Sequence, residues 1–160
     1  MVRRVVTRDE AAKASARWRD GGRSVVLTNG CFDILHVGHL RYLEEARRLG
    51  RLIVAINSDA STRRLKGESR PIVPEADRAE LLASLRCVDL VTIFDELTAE
   101  ETLEAIRPDV YVKGADYGPA ARPLPEAIVA EKIGTRVALI PLVENRSTTA
   151  LIETIRQRYP

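Results

Sequence analysis

The stretch that decides the fold reads Asn29-Gly30-Cys31-Phe32-Asp33-Ile34-Leu35-His36-Val37-Gly38-His39. It follows an apolar run, residues 25–27, that is typical of a buried strand. It precedes apolar residues at near-helical spacing, which predict a helix over 38–49. A strand therefore meets a helix N-terminus, and His36 and His39 lie three residues apart at the junction, on one face of the helix.

The glycine between the two histidines indicates what this junction binds. Gly38 has no side chain, which suits a place where another group must approach the backbone closely. The free N–H groups of a helix N-terminus, flanked by imidazoles, favour phosphate. The alternative is that His36 and His39 only cap the helix. The preceding strand and the glycine favour a site for chemistry on a triphosphate.

Length and composition fit one soluble domain over residues 1–160. A net charge of +2 provides no broad basic field, so nucleic acid is not an expected partner. Cys31 and Cys87 lack metal-ligand spacing, and no structural disulfide is expected. The sequence contains no apolar run of signal-peptide or membrane-spanning length, which favours a cytoplasmic protein without a membrane partner.

Apolar runs alternate with amphipathic segments along the chain. The runs predict strands near 24–28, 52–56, 88–94, 110–112 and 136–140. Capping boxes at Thr7–Glu10 and Thr98–Glu101 predict helix starts, residues 63–71 predict a basic loop, and a last helix with an apolar stripe begins near Ser147. The expected fold is α/β: a single doubly wound, five-stranded parallel sheet with helices on both faces.

Polar clusters follow four of the predicted strands. They span residues 29–39, 57–59, 113–117 and 145–149. In a doubly wound sheet the carboxyl ends of parallel strands meet at one edge, where ligands bind at the topological switch point. The clusters are therefore expected to converge on one site.

That edge offers donors to a polyphosphate from several directions. Lys66 and Lys113 supply positive charge, Arg146 can bind bidentately, and the hydroxyls of Ser147, Thr148 and Thr149 open the last helix. The glycine patterns of P-loop kinases and of dinucleotide-binding enzymes are absent from the sequence. A nucleotide site of another kind is indicated.

Two segments resemble a known family. Residues 30–39, with the His-x-Gly-His element, are similar to the signature of the cytidylyltransferase-like nucleotidyltransferases, which have a Rossmann-like fold, and Arg146-Ser147-Thr148-Thr149 resembles their second signature. Within that superfamily, the stretches between the signatures look most like adenylyltransferases that convert D-glycero-β-D-manno-heptose 1-phosphate to ADP-heptose for the lipopolysaccharide core.

The resemblance implies roles for individual residues. His36, His39, Lys66 and Lys113 would be catalytic. The nucleotide would be bound by the residues Asn29, Gly30, Cys31, Phe32, Asp33, His36, Gly38, His39, Lys113, Arg146, Ser147, Thr148 and Thr149. The acceptor would be bound by the residues Asp59, Lys66, Arg78 and Asp116.

The resemblance also implies partners and cofactors. ATP and a sugar 1-phosphate would be the substrates, Mg²⁺ would be held mainly through the nucleotide phosphates without a metal site of the protein's own, and a homodimer is expected by analogy. A phosphate monoester has a second pKa near ~6, so the acceptor already carries its charge at neutral pH and needs no general base. The histidines are accordingly expected to stabilise charge in a single in-line displacement, without a covalent intermediate.

Some positions depart from the family pattern and leave alternatives open. Ala115 replaces an expected glycine, and the stretch 118–123 looks longer than the loop expected before Leu-Pro-Glu-Ala. Residues 142–144 lack the Arg-Thr pair of cytidylyltransferases, which disfavours CTP. One alternative is a cytidylyl- or adenylyltransferase of the same fold acting on glycerol 3-phosphate, ethanolamine phosphate or FMN. Another is a non-catalytic nucleotide sensor, although this sequence keeps both histidines and the Ser-Thr-Thr element.

Overall fold

The computed structural model describes residues 4–115, 124–144 and 146–159. Its sheet consists of five parallel strands in the order β3-β2-β1-β4-β5. The strands are β1 Val25–Gly30, β2 Arg51–Asn57, β3 Leu90–Phe94, β4 Val110–Ala115 and β5 Arg136–Pro141. The order reverses between β1 and β4, so the predicted doubly wound parallel sheet is confirmed, and its switch point lies between these two strands.

Helices cover both faces of this sheet, as predicted. They are α1 Arg8–Asp20, α2 Val37–Arg48, α3 Asp59–Lys66, α4 Glu75–Ser84, α5 Glu100–Ile106, α6 Pro125–Ile133 and α7 Thr148–Arg158. Alternate residues of a strand point to opposite faces, so Val26 packs with buried residues of α2 and α4, whereas Val25 and Leu27 pack with those of α1, α5 and α6. The first of these cores fixes α2 against one face of β1.

The N-terminal residues extend the sheet before the first helix begins. Val5 forms a parallel bridge with Val91 of β3, and the Val6 N–H donates to the Val91 carbonyl at 2.9 Å. This pairing covers the outer edge of β3, which would otherwise expose unpaired backbone groups. The predicted capping box at Thr7 is confirmed, since Glu10 N donates to the Thr7 hydroxyl and Thr7 N donates to the Glu10 carboxylate.

The second predicted capping box is wrong. Helix α5 begins after Ala99, and the Thr98 hydroxyl donates to Glu100 Oε2 at 2.6 Å instead of capping the helix. The Ala99 N–H donates to Glu126 Oε1 of α6 at 3.0 Å. A carboxylate 27 residues further along the chain thus binds the backbone at the start of α5, and such a partner is invisible to a local pattern.

Residues 63–66 do not belong to the predicted basic loop. They form the last turn of α3, a helix that the apolar pattern did not reveal because its composition is mostly polar. The Ser58 hydroxyl caps it by accepting from Ser61 N at 3.2 Å. Lys66 is therefore carried by a helix end rather than by a loop, and only the stretch from Gly67 to Pro74 connects α3 to α4.

The apolar stripe of α7 does not pack into the core. Leu151, Ile155 and Tyr159 are 39%, 53% and 78% exposed, and α7 contains no buried residue. In the described part of the chain, no helix combines the length and apolar character needed to cross a membrane.

Candidate active site

Two adjoining cavities open at the carboxyl edge of the sheet, over the switch point between β1 and β4. The first has a volume of about 370 Å³ and the second about 490 Å³. They share a wall formed by the residues Asn29, Gly30, Cys31, Phe32, His39, Lys113, Ser147 and Thr148. This wall combines the end of β1, the start of α2, the end of β4 and the start of α7, so three of the four predicted polar clusters meet here.

The other predicted residues divide between the two cavities. His36, Gly38 and Arg146 line the first cavity only. Asp33, Lys66 and Thr149 line the second only. Asp116 lies outside the described residues, so its predicted contact with the acceptor stays a prediction.

Helix α2 is held at this edge by a buried hydroxyl. Tyr42 is hydrogen-bonded to the Thr28 hydroxyl of β1 at 2.6 Å and donates to the Val112 carbonyl of β4 at 3.1 Å. Burial raises the pKa of Tyr42 to about 12, so the phenol keeps its proton at neutral pH. One side chain therefore fixes the histidine-bearing helix to both strands of the switch point.

The two histidines cap α2 with their own rings. His36 is the N-cap residue, and its Nδ1 accepts from Gly38 N at 3.1 Å. His39, three residues later, accepts from His36 N through its Nδ1 at 3.3 Å. In each ring the nitrogen nearer the backbone is occupied as an acceptor, so a neutral imidazole must carry its proton on Nε2. Both histidines then present an N–H donor away from the helix.

Both imidazoles are held in the neutral form. Burial, with a smaller contribution from the neighbouring His36, lowers the pKa of His39 to about 4. Burial and the charge of Arg146 also lower the pKa of His36. At neutral pH the pair therefore offers two uncharged N–H donors rather than two cations.

Gly38 is required by the ring of His36. A Cβ at this position would lie 2.8 Å from His36 Cε1, 2.9 Å from His36 Nδ1 and 3.2 Å from Arg146 Cβ. The sequence predicted a close approach to the backbone here. The structure shows that the approaching groups are the first histidine of the motif and the arginine that precedes α7.

Lys113 supplies the cation of the shared wall. It lies near the end of β4, and its Nζ donates to Asn29 Oδ1 at 3.4 Å. The pKa of Lys113 is lowered, mainly by burial and also by nearby Lys66, while the negative charge of Glu126 opposes the shift. A phosphate entering between these two lysines would favour their charged forms.

The N-terminus of α7 completes the wall. Ser147 caps the helix by accepting from Ala150 N at 3.0 Å, and Thr148 Oγ1 donates to the Ile34 carbonyl at 3.1 Å. The second bond ties α7 to the loop that precedes the histidines. The free N–H groups of the first turn of α7 can bind an anion at the shared wall.

Asp33 anchors a loop instead of offering a free carboxylate to the nucleotide. Its oxygens accept from Ile72 N at 2.9 Å, Val73 N at 2.8 Å and Arg70 Nε at 2.6 Å. Burial opposes ionisation, but these bonds outweigh it and hold the pKa of Asp33 below its ordinary value. Asp33 itself lines the second cavity and places Arg70 beside it, and its predicted contact with the nucleotide stays a prediction.

Arg78 lies beneath the ends of β1 and β2 that form the site, and it lines neither cavity. Its side chain is 0% exposed and donates to the carbonyls of Cys31 at 2.5 Å and Asn57 at 2.9 Å. Its Nη2 donates to Asp59 at 2.8 Å. The predicted acceptor contact of Arg78 is corrected, because its buried guanidinium joins the ends of β1 and β2. Asp59 keeps a side chain that is 29% exposed, and its predicted acceptor contact stays a prediction.

Several lining residues were not predicted. They are Tyr42, Gly114, Leu142 and Val143 in the first cavity, and Asn57, Leu65, Arg70, Leu97 and Glu126 in the second. Asn57 and Gly114 carried a signal, because both lie near the ends of strands. Of the others, Tyr42, Leu65 and Glu126 lie in α2, α3 and α6, and the rest lie in the loops that follow α3, β3 and β5, so their orientation depends on tertiary packing.

The comparisons with known proteins agree with this geometry. Residues 27–154 match the family model described as cytidylyltransferase-like. A solved structure, the lipopolysaccharide core biosynthesis protein from Thermoplasma volcanium, is 32% identical with a TM-score of 0.61, over 78% of this chain and 100% of that one.

Curated relatives are more similar in sequence. The bifunctional protein HldE of Syntrophotalea carbinolica is 54% identical over 88% of this chain and 29% of the relative. That of Koribacter versatilis is 54% identical over 94% of this chain and 31% of the relative. The chain thus spans under a third of the length of these relatives. With the family match over most of its length and the histidine pair at its switch point, the chain belongs to the cytidylyltransferase-like family of nucleotidyltransferases.

Proposed function

We propose that the chain transfers the adenylyl group of ATP to a sugar 1-phosphate, with D-glycero-β-D-manno-heptose 1-phosphate as its substrate, and forms ADP-heptose and pyrophosphate. The observation that carries this proposal is the shared wall, where His39, Lys113 and the start of α7 lie between two cavities. Similarity to a lipopolysaccharide core biosynthesis protein supports the sugar substrate, because ADP-heptose is a precursor of that core.

The two cavities differ in the ligand that they suit. The first is lined by Phe32, Leu142 and Val143 beside Gly114, which suits the base and ribose of a nucleotide. The second contains Lys66 and Arg70, which suit the phosphate of the acceptor. The triphosphate would lie along the wall between them, within reach of both sets of donors.

The reaction is a single displacement at the α-phosphorus. An oxygen of the acceptor phosphate forms the new P–O bond, and the bond to the bridging oxygen of pyrophosphate breaks. The Nε2–H groups of His36 and His39 donate to oxygens on which negative charge grows, and Lys113 offsets that charge. Because backbone N–H groups already orient both imidazoles and the Asn29 side chain holds Lys113, little reorganisation accompanies the transition state.

Mg²⁺ is proposed to arrive with the nucleotide. In residues 4–115, 124–144 and 146–159, no group of three His, Cys, Asp or Glu side chains could hold a metal ion. Asp33, a carboxylate at the edge of the site, already binds Arg70. The side chains of the cavities thus suit a nucleotide whose own phosphate oxygens hold most of the coordination of Mg²⁺. The ion would neutralise charge on the departing pyrophosphate.

A pyrophosphate-release assay tests the proposal. Each of the four nucleoside triphosphates is combined with heptose 1-phosphate, another sugar 1-phosphate, glycerol 3-phosphate, ethanolamine phosphate or FMN. We expect ATP with heptose 1-phosphate to give the highest kcat/KM. Turnover confined to CTP with glycerol 3-phosphate would favour the alternative transferase, and ATP binding without turnover of any acceptor would favour the sensor.

The cytoplasmic location and the homodimer stay predictions. Sedimentation velocity of the purified chain would test the second, with a monomer over the micromolar range as the contradicting result.

A further inference from the structure

The second cavity contains a carboxylate that the proposed reaction does not use. Glu126 lies in the first turn of α6 and lines this cavity although it is only 5% exposed. Its Oε1 accepts from Ala99 N at 3.0 Å. Among the described residues nothing donates to its second oxygen, and the side chain lines the second cavity. One carboxylate oxygen is therefore available to a ligand.

The remaining charges of the cavity limit what that ligand can be. Lys66, Arg70 and Lys113 make most of the wall positive, so the ligand carries an anionic group. The carboxylate of Glu126 repels that group and accepts hydrogen bonds. An ammonium group would fit the carboxylate but would lie among three cations. A neutral hydroxyl has neither difficulty.

The amide of Asn57, another polar group of this cavity, is uncharged and already engaged on both sides. Its Nδ2 donates to Ser61 Oγ at 3.0 Å, and its Oδ1 accepts from the Cys31 thiol at 3.7 Å. The other carboxylate of the described cavity wall, Asp33, already accepts from the loop before α4. Glu126 is thus the carboxylate of this wall that keeps an acceptor free.

We infer that Glu126 binds a hydroxyl of the acceptor, so that the phosphate of the acceptor lies toward the lysines and its sugar ring toward α6. This inference rests on the proposed function and specifies how the same site selects a hydroxyl-bearing acceptor. A site built to bind a hydroxyl discriminates strongly against analogues that lack it, because its own acceptor is then left unpaired.

The variant Glu126→Gln tests the inference while it preserves the hydrogen bond to the start of α5. The amide oxygen of glutamine can still accept from Ala99 N, whereas the free carboxylate oxygen is lost. Glu131→Gln is the matched control, since Glu131 is exposed on the same helix. Thermal unfolding and calorimetric ATP binding are measured alongside kcat and KM for the acceptor.

We expect Glu126→Gln to raise the acceptor KM by about 10- to 100-fold, the effect of losing a hydrogen bond to a charged group. The Kd for ATP and the Tm should match those of Glu131→Gln. Monodeoxy analogues of the acceptor provide a second readout that a purely structural role would not change. The analogue that lacks the hydroxyl bound by Glu126 should have a raised KM with the unmodified chain. Its KM should not rise further with Glu126→Gln.

Two results would overturn the inference. One is an unchanged acceptor KM, which would leave Glu126 as a support of α5 only. The other is an equal loss with every analogue together with a lowered Tm. Failure of the proposed function would give a different result. If the chain uses glycerol 3-phosphate, the proposed sugar substrate is wrong. The KM of glycerol 3-phosphate with Glu126→Gln then still decides whether Glu126 binds an acceptor hydroxyl. If no acceptor is turned over, calorimetric titration of the acceptors in the presence of ATP decides it, and unchanged or undetectable acceptor binding counts against the inference.

Discussion

The rings of His36 and His39 stack with their centroids 3.9 Å apart, and each accepts a backbone N–H of the first turn of α2 through Nδ1. Capping and chemistry are therefore not alternatives for these residues. The hydrogen bonds that cap the helix also select the tautomer, and the tautomer places both Nε2–H groups on the ligand side. Stacking of two rings disfavours their simultaneous protonation, and the proximity of His36 accordingly adds to the effect of burial in lowering the pKa of His39.

The first prediction concerns this tautomer. His36 and His39 are the only histidines in the sequence, so the imidazole ¹⁵N resonances of the purified chain can be assigned unambiguously by removing one at a time. We expect both to be Nε2–H tautomers at pH 7, with the pKa of His39 at about 4. Nucleotide binding should raise both pKa values, because phosphate favours the charged form. Titration of either ring at or above 6.5 in the free protein would contradict the assignment.

The second prediction separates capping from chemistry at His36. Asparagine is a favourable N-cap residue, so His36→Asn should change the free energy of unfolding by less than about 1 kcal/mol. It removes the Nε2–H donor, and we expect kcat to fall by roughly 10²–10³. Urea denaturation and the pyrophosphate assay measure the two effects. Unaltered turnover in this variant would remove His36 from the reaction.

The third prediction concerns the space around Gly38. The methyl group of Gly38→Ala would meet the His36 ring at 2.8 Å, so that ring must turn away and give up its cap. We expect a loss of at least about tenfold in kcat/KM, although alanine is the better helix former by ~1 kcal/mol. Gly21→Ala is the control, because its Cβ would make ordinary contacts of 3.4 and 3.5 Å with two carbonyl oxygens. Equal activities of the two variants would contradict the requirement for glycine.

The fourth prediction tests Arg78 as a structural support. Lysine cannot reproduce its bonds to Cys31, Asn57 and Asp59, so Arg78→Lys should destabilise the fold by about 3 kcal/mol. Arg86→Lys, at an exposed position of the chain, should leave stability within about 0.5 kcal/mol of the unmodified protein. Unchanged stability of Arg78→Lys together with a raised acceptor KM would return Arg78 to the acceptor site.

The fifth prediction follows from the pKa of His39. In the unfolded chain this group binds a proton near its ordinary 6.5, but in the folded chain only near 4. Between those values the unfolded state binds more protons, so the free energy of unfolding should decrease as the pH falls from 6.5 toward 4. Below that range the lowered pKa of Asp33 adds a further loss. His39→Asn should flatten the upper part of the curve, and an unchanged slope would argue against a buried neutral imidazole.

Much of the site could be predicted because its signals are local. The strand before Gly30, the helix after His36 and the Ser147 cap of α7 depend on neighbours within a few residues. The edge on which they converge follows from the parallel topology alone. The predicted capping box at Thr98 was wrong because the start of α5 does not depend on its neighbours in sequence. A buried carboxylate from α6 binds its backbone instead.

The roles of Asp33 and Arg78 could not be predicted, because their partners lie far along the chain. Asp33 binds Val73, 40 residues away, and Arg78 binds Cys31, 47 residues away. A charged residue near a strand end has the same sequence signal whether its polar atoms are free for a ligand or occupied by the protein.

The sequence by itself determined how the five strands alternate with the helices other than α3, the edge on which the polar residues gather and the position of the histidine pair. These depend on hydrophobic periodicity and on caps formed within one helical turn. Only the tertiary structure decided which polar atoms remain available to substrates. That depends on hydrogen bonds between distant segments, which in the described part of the chain occupy both oxygens of Asp33 but only one oxygen of Glu126.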